Sequence, residues 1–150
     1  MKQFLTPVGL LSMWMTLGFQ GCVSDPSGSV RICEAGQANF VLYVSNQSLT
    51  LRNVDLEIRV DGRVLIAEDF DVGEGEDLAH NWKTFYLDVP DGAHELRAVS
   101  RKGDARLEHP FVMQGKRWAV IDYWFKPASE GGGEPKSIKI DIQDKPITFM

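Results

Sequence analysis

Residues 54 to 60 read Val-Asp-Leu-Glu-Ile-Arg-Val, and this stretch decides the fold class. Apolar and charged side chains alternate strictly along it, which is the period of a β-strand with one face on a core and the other in water. From Val30 onward no segment carries the apolar stripe of an amphipathic helix, whereas short alternating segments recur between turn dipeptides. The sequence therefore predicts an all-β domain.

Turn signals after this strand predict two hairpins. Asp61-Gly62 is typical of a two-residue hairpin loop. The pairs that this loop predicts are Ile58 with Leu65 and Leu56 with Ala67. Residues 90 to 93 (PDGA) read as a four-residue loop, which keeps apolar residues opposite one another. The pairs that it predicts are Val89 with His94, Leu87 with Leu96 and Phe85 with Ala98, with Tyr86 opposite Arg97 on the outer face.

A third hairpin is expected to turn at Gly115-Lys116, because Gly suits the first position of a type II′ turn. The pairs that it predicts are Met113 with Trp118, Phe111 with Val120, His109 with Asp122 and Leu107 with Trp124. The strand over residues 118 to 125 is apolar on both sides, so we expect it to be the most buried strand. Pro110 lacks an N–H group, and its strand is therefore expected at a sheet edge or a bulge.

The pattern predicts seven or eight short strands over residues 30 to 150, the last of which carries Ile138, Ile140 and Ile142. That number of short strands in one domain is typical of a two-sheet immunoglobulin-like β-sandwich. A β-barrel is the alternative. The chain of 150 residues is the size of one domain with its own core.

The N-terminal segment, residues 1 to 21, has the layout of a cleaved secretory signal peptide, with a cation at Lys2 followed by an apolar stretch. Residues 19 to 22 (FQGC) resemble the lipobox of bacterial lipoproteins. The resemblance implies that Cys22 is acylated after cleavage and holds the protein on a lipid bilayer. Val23 stands where an inner-membrane retention signal would have Asp, which favours the outer membrane.

Residues 22 to 29 are polar, contain Pro and Gly, and read as a lipidated tether. At about 3.4 Å per residue this tether reaches about 25 Å at most, so the domain is expected close to the membrane surface. The chain has two cysteines, so acylation of Cys22 leaves Cys33 without a disulfide partner. The alternative is a plainly secreted protein with a bridge between Cys22 and Cys33.

Residues 60 to 62 (VDG), followed by residues 90 to 96 (PDGAHEL), resemble the PEGA family of small immunoglobulin-like modules in extracytoplasmic microbial proteins. Asp91 stands where the motif that names the family has Glu, and the segment from 70 to 80 is longer than the compact pattern of the family. The resemblance implies a non-catalytic surface or scaffold module.

Two groups of side chains are candidates for a site. His109 and Asp122 would form a pair like that of a general base and its carboxylate, but no Ser or Cys lies in a turn typical of a nucleophile, so a structural polar pair is expected. A second group would form an aromatic platform on which a ligand such as a sugar could stack. Its members are Trp82, Tyr86 and Arg97.

Residues 68 to 77 hold six carboxylates, the ligand type that calcium prefers, but their spacing fails the EF-hand template. We expect a solvated acidic loop there, no metal site and no cofactor. His80 and His94 are single histidines without the spacing of zinc ligands, and neither is assigned a function.

The charge balance argues against one class of partner. Lys and Arg total 16 against 21 Asp and Glu, which leaves a net charge of -5 and no basic footprint for nucleic acid. The leading hypothesis is an envelope lipoprotein whose sandwich is a non-catalytic module that binds or assembles with an envelope protein. A carbohydrate or peptidoglycan binder is the second hypothesis, and an envelope enzyme that uses His109 and Asp122 is the third.

Overall fold

The structure, a computed structural model, describes residues 28 to 48, 50 to 72 and 81 to 149. These residues form two β-sheets that pack face to face, which confirms the predicted all-β two-sheet sandwich. Nine strands are described, one more than the upper expectation, and the first of them has only two residues. The predicted signal peptide and the predicted lipidation site Cys22 lie outside the described residues.

The strands, in chain order, are β1 (Arg31–Ile32), β2 (Phe40–Asn46), β3 (Asn53–Val60), β4 (Arg63–Asp71), β5 (Lys83–Asp88), β6 (Gly92–Ser100), β7 (Ala105–Met113), β8 (Arg117–Lys126) and β9 (Glu134–Gln143). Short 3-10 turns lie at Ala35–Gln37 and Ala128–Glu130. The five-stranded sheet has the order β1-β5-β2-β8-β9, and the four-stranded sheet has the order β4-β3-β6-β7. Within the described ranges no helix is long and apolar enough to cross a membrane.

The core lies between the sheets and is filled by every second residue of the strands. The alternation over residues 54 to 60 predicts its inward face correctly, because the four apolar side chains of that stretch are buried. The most buried strand is β2, in which six of seven residues are buried, and not the strand over 118 to 125. In β8 only Ala119, Ile121 and Tyr123 are fully buried, since Trp118, Val120, Asp122 and Trp124 lie on the outward face and Phe125 packs only at the margin of the core.

The two-residue turn at Asp61-Gly62 is confirmed. Both residues have positive φ, 50° and 79°, as a hairpin turn of type I′ requires. The predicted pairs are wrong by one position, because the ladder shifts between Ile58 and Arg59. Ile58 pairs with Ile66 instead of Leu65, and Leu56 pairs with Glu68 instead of Ala67. A β-bulge of this kind lets two residues of one strand face one residue of the other, which the alternation does not reveal.

The second predicted hairpin is wrong, because residues 89 to 91 cross from one sheet to the other. β5 pairs with β1 and β2 in the five-stranded sheet, whereas β6 pairs with β3 and β7 in the four-stranded sheet. The expected pairs Val89 with His94, Leu87 with Leu96, Phe85 with Ala98 and Tyr86 with Arg97 therefore do not form. Leu87 and Leu96 do share the core, but each contributes to it from its own sheet.

The third predicted hairpin is wrong for the same reason. β7 pairs with β6, while β8 pairs with β2 in parallel and with β9 in antiparallel orientation. The expected pairs Met113 with Trp118, Phe111 with Val120, His109 with Asp122 and Leu107 with Trp124 do not form. Pro110 does lie on an edge strand, as its missing N–H group predicts, because β7 ends the four-stranded sheet. A hairpin that the sequence analysis missed joins β6 to β7 through residues 101 to 104.

Candidate binding face of the five-stranded sheet

The outward side of the five-stranded sheet is rich in aromatic and apolar side chains, and we call it the aromatic face. Its side chains follow from the register of β5, β2 and β8, in which partners point to the same side. Half-buried rings and β-branched residues make up most of it. The members are Val41, Tyr43, Ser45, Trp82, Thr84, Tyr86, Trp118, Val120, Asp122 and Trp124.

Val41 shows how closely this face is packed. It lies on the outward side of β2, with Tyr86 as its partner on β5 and Trp118 as its partner on β8. Although no second layer of strands covers it, only 5% of its surface is exposed. The neighbouring rings therefore shield an apolar side chain on a sheet face that in most sandwiches is solvated.

The outward side of the four-stranded sheet is charged, and we call it the charged face. Glu57, Val99 and Arg106 form one row across β3, β6 and β7, and Arg59, Arg97 and Glu108 form the next. Arg97 approaches Glu108 to 3.4 Å, and both side chains are about half exposed. This mixture of exposed charges of both signs is what a solvated sheet face requires.

Asp122 is the polar centre of the aromatic face. Its Oδ1 accepts a hydrogen bond of 2.6 Å from the hydroxyl of Ser45, which is fully buried, and a longer one of 3.4 Å from Nε1 of Trp82. Burial raises the pKa of Asp122 above the ordinary value of 3.8, although both hydrogen bonds and the charge of Lys139 act in the opposite direction. Among the described residues none donates a hydrogen bond to the other oxygen, Oδ2.

Phe149, in the segment that follows β9, contacts two rings of this face. The ring of Phe149 stacks on Trp82, with centroids 4.0 Å apart and planes at 25°. The same ring meets the edge of Tyr43 at 5.0 Å and 79°. Offset-stacked and edge-to-face contacts are the arrangements that aromatic rings prefer. Phe149 is thus held by one nearly parallel and one perpendicular ring, and the nearly parallel one, Trp82, donates its long hydrogen bond to Asp122.

Two lysines lie over the tryptophans of β8. Lys116 Nζ is 5.5 Å from the ring centre of Trp118, and Lys139 Nζ is 4.6 Å from that of Trp124. Both distances are in the range of cation–π attraction. The aromatic face therefore carries positive charge at two of its rings while Asp122 lies between them along β8.

The predicted ligand surface is only partly brought together. Trp82 and Tyr86 belong to the aromatic face, but Arg97 is on the charged face, on the opposite side of the sandwich. The predicted pair is separated as well, because His109 pairs with Leu96 in the four-stranded sheet whereas Asp122 pairs with Ser45 and Lys139. The carboxylate of Asp122 has a partner, but that partner is Ser45 and not His109.

The acidic stretch is described only at its start. Lys83 pairs with Glu68 at 3.0 Å and Lys102 pairs with Asp69 at 2.8 Å, so both carboxylates are neutralised by lysines. Asp71 accepts a hydrogen bond of 2.7 Å from the amide of Asn53. Glu74, Glu76 and Asp77, and also His80, lie outside the described residues. In the described part of the chain no group of three or more potential metal ligands is present.

His94 has a structural role that the pattern of the sequence does not indicate. Its Nδ1 lies 2.6 Å from Oδ2 of Asp61, and its Nε2 lies 2.7 Å from the carbonyl oxygen of Pro90. The imidazole therefore links the β3–β4 turn to the crossing between β5 and β6. The hydrogen bonds at Asp61 lower the pKa of its carboxyl, outweighing its burial, which acts in the opposite direction.

Sequence reasoning missed Tyr43, Ser45 and Phe149 as members of the site. The first two could have been found, because Phe40, Leu42 and Val44 form the inward set of β2 and the residues between them must point outward. Phe149 follows the last strand and has no periodicity that would place it. No protein-family model matches this chain, and a search among curated proteins finds no relative.

Proposed function

We propose that the chain is a membrane-anchored bacterial envelope lipoprotein whose β-sandwich is a non-catalytic module that binds an envelope protein, and that the aromatic face is its binding surface. The observation that carries this proposal is the contrast between the two outward faces. Both are outward faces of β-strands, yet the central rows of one present charges, whereas β5, β2 and β8 of the other present mostly rings, with the charged residues Lys139 and Asp141 on its β9 edge. Protein interfaces are enriched in Tyr, Trp and Phe, and the rings of the aromatic face match this enrichment.

The place where the chain enters the sandwich supports anchoring through a short tether. Nη1 of Arg63 donates a hydrogen bond of 3.3 Å to Oγ of Ser29, so the predicted tether ends beside the β3–β4 turn. Among the described residues the large hydrophobic side chains that are most exposed are Ile32, Val64 and Val112. Each lies near a strand end on this same side of the sandwich. A lipid anchor at Cys22 would hold this end against the bilayer and leave the aromatic face accessible from the side.

A carbohydrate ligand is the second candidate for the same face. Trp118 and Trp124 are half-buried rings on one strand, and the carboxylate of Asp122 lies between them along β8. Rings that stack on sugar faces beside a carboxylate that accepts hydroxyl groups are a common arrangement in sugar binding. The enzyme hypothesis has lost the geometry on which it depended, because His109 and Asp122 lie on different sheets.

The anchor is tested by fractionation of cells that express the full chain. Replacing Cys22 by Ser should move the protein from the membrane fraction to the soluble fraction, since no other residue is assigned to anchoring. Cys33→Ser is the matched control and should leave the protein in the membrane fraction. Mass spectrometry of the mature wild type should find an acylated Cys22 at the N-terminus. An unmodified residue other than Cys22 at that terminus would contradict the proposal.

The ligand class is tested by sedimentation with purified peptidoglycan. If the partner is a protein, the wild type should stay in the supernatant. If the aromatic face binds sugar, the wild type should sediment, Trp118→Ala should weaken sedimentation, and Arg97→Ala on the charged face should not. Sedimentation with that pattern would contradict a protein partner and favour a carbohydrate ligand.

A further inference from the structure

We propose that Tyr43, Trp82 and Asp122 form a cradle that binds an aromatic side chain on an extended segment of the partner protein. The incoming side chain displaces Phe149 from this cradle. The inference rests on the proposed function, because it assigns the partner contact to one part of the aromatic face. The cradle is defined by the two rings that hold Phe149 and by the half-buried carboxylate beside them.

The first argument is how Phe149 is held. Its ring makes the two aromatic contacts, but in the described part of the chain no hydrogen bond links residues 144 to 149 to the rest of the protein. Of these six residues, only Ile147 and Phe149 are half-buried, and the other four are exposed. β9, in contrast, is bound along its length to β8. The segment after β9 can therefore leave the face without breaking a ladder of backbone bonds.

The second argument is the chemistry of the cradle. A ring parallel to Trp82 and perpendicular to Tyr43 fits between them, as Phe149 shows. Oδ2 of Asp122 receives no hydrogen bond from the described residues, so it can accept one from the backbone N–H of an incoming segment. A site that holds a flat apolar ring and offers a hydrogen-bond acceptor next to it suits an aromatic residue in an extended peptide, which supplies both the ring and a backbone N–H group. We therefore assign the cradle to a protein segment.

The third argument is competition. The segment is tethered to the body at Gln143, so Phe149 is present at the cradle at an effective concentration on the order of millimolar. A partner segment binds only in competition with this resident ring, which lowers its apparent affinity, and removal of the Phe149 ring should make the cradle accessible. The resident segment thus sets a threshold that excludes weak peptides.

The experiment uses the full chain with Phe149→Ala, compared with the wild type. The probe is a fluorescent peptide with the sequence of residues 144 to 150 (DKPITFM), whose binding is followed by anisotropy. The Phe149→Ala protein should bind the peptide at least about tenfold more tightly than the wild type does, because its own segment no longer competes. Thr148→Ala is the matched control, because Thr148 is exposed, and it should bind as weakly as the wild type.

Two further samples test the identity of the cradle. A peptide in which Phe is replaced by Ala should not bind, and Trp82→Leu in the Phe149→Ala protein should abolish binding of the original peptide. Equal binding of the two peptides, or no binding by the Phe149→Ala protein, would overturn the cradle. Dimers that form by exchange of the segment would show that the occupant is a second copy of this chain. Preferential binding of peptidoglycan fragments would show that the occupant is a sugar. If no peptide binds but a partner protein can still be photocrosslinked to residues of the aromatic face, the cradle is wrong while the proposed function is supported.

Discussion

The two outward faces of this sandwich are built on the same β-geometry and differ in nearly every other respect. On the charged face, Val99 lies between Glu57 and Arg106 and is half exposed. On the aromatic face, Val41 lies between Tyr86 and Trp118 and is buried. The same residue type at equivalent positions is therefore partly exposed on one face and buried on the other. A face that shields its own apolar residues is prepared to exclude water from a ligand, and we propose that it does so.

One aspartate on each face shows the same difference in electrostatic terms. Burial raises the pKa of Asp122, and its hydrogen bonds do not compensate. Burial acts in the same direction on Asp55, but hydrogen bonds from the backbone N–H of Lys102 at 2.7 Å and the hydroxyl of Ser100 at 3.0 Å outweigh it, so the pKa of Asp55 is lowered. The aromatic face thus disfavours the charge of its carboxylate, whereas the charged face stabilises that of its own.

The largest expected effect on stability comes from a substitution at the point where the two sheets meet through Tyr123. Tyr123 of β8 reaches across the core and donates a hydrogen bond of 2.9 Å to the carbonyl oxygen of Gly103, in the turn between β6 and β7. A Cβ at residue 103 would overlap the ring of Tyr123 and lie 2.6 Å from Oγ of Ser100. Gly103→Ala should therefore lower the free energy of unfolding by about 1–3 kcal/mol.

This prediction is measured by urea denaturation, with Gly36→Ala as the matched control. A Cβ at Gly36 meets no heavy atom within 4 Å, so that variant should keep the midpoint of the wild type. Equal midpoints for the two variants would mean that the sheets do not meet at Tyr123, and the assignment of inward and outward faces would then be wrong.

The second prediction compares Val41 and Val99 by the same substitution. Val41→Thr puts a hydroxyl group between two rings and should destabilise the protein by about 1–2 kcal/mol, the usual cost of burying such a group. Val99→Thr puts it beside Glu57 and Arg106, where the change should stay within about 0.5 kcal/mol. Thermal unfolding of both variants gives the comparison. Similar losses for the two variants would show that the faces are equally solvated.

The third and smallest effect is the pH dependence of the two aspartates. A lowered pKa at Asp55 means that its contribution to stability is present above its ordinary value of 3.8 and is lost as the pH falls through the folded value. A raised pKa at Asp122 has the opposite sign, because the protonated form favours folding below 3.8 and this contribution is lost as the pH rises through the folded value.

Asparagine substitutions test the sign of the contribution that each aspartate makes to stability. At pH 7, Asp55→Asn should lower the melting temperature, whereas Asp122→Asn should leave it unchanged or raise it, since an amide oxygen can still accept from Ser45 and Trp82. Each difference should shrink as the pH falls through the folded pKa of its wild-type carboxyl, first for Asp122, whose pKa is raised, and then for Asp55, whose pKa is lowered. Two losses of equal size at pH 7 would show that Asp122 is stabilised as a carboxylate, contrary to the account.

The sequence predicted which residues fill the core better than it predicted which strands are neighbours. The alternation over residues 54 to 60 and at Phe40, Leu42 and Val44 marks inward side chains correctly. The same alternation cannot tell a hairpin from a crossing between sheets, because in a sandwich both strands point apolar residues at one shared core. Leu87 and Leu96 meet this condition in either arrangement, and the structure places them on different sheets.

Prediction of the site failed for the same physical reason. Trp82 and Tyr86 were correctly grouped, because they lie on one segment of chain and need no pairing. Arg97 and His109 were assigned through hairpins that do not form, so both belong to the other sheet. The parallel pairing of β2 with β8, which brings Ser45 to Asp122, joins strands far apart in the chain and leaves no local signal in the sequence.

The claim that the aromatic face is the binding surface is tested most directly by photocrosslinking in intact cells. A photoreactive phenylalanine analogue would replace Tyr86 or Trp124 on the aromatic face, and Arg97 or Arg106 on the charged face, in otherwise unchanged full-length chains. All four sites are outward positions of their strands, and the two arginines are more exposed than Tyr86 and Trp124, so shielding cannot explain a missing crosslink from the charged face. We expect a discrete crosslinked protein from Tyr86 and Trp124 and none from Arg97 and Arg106. A discrete product from the charged face alone, or the same product from both faces, would contradict it.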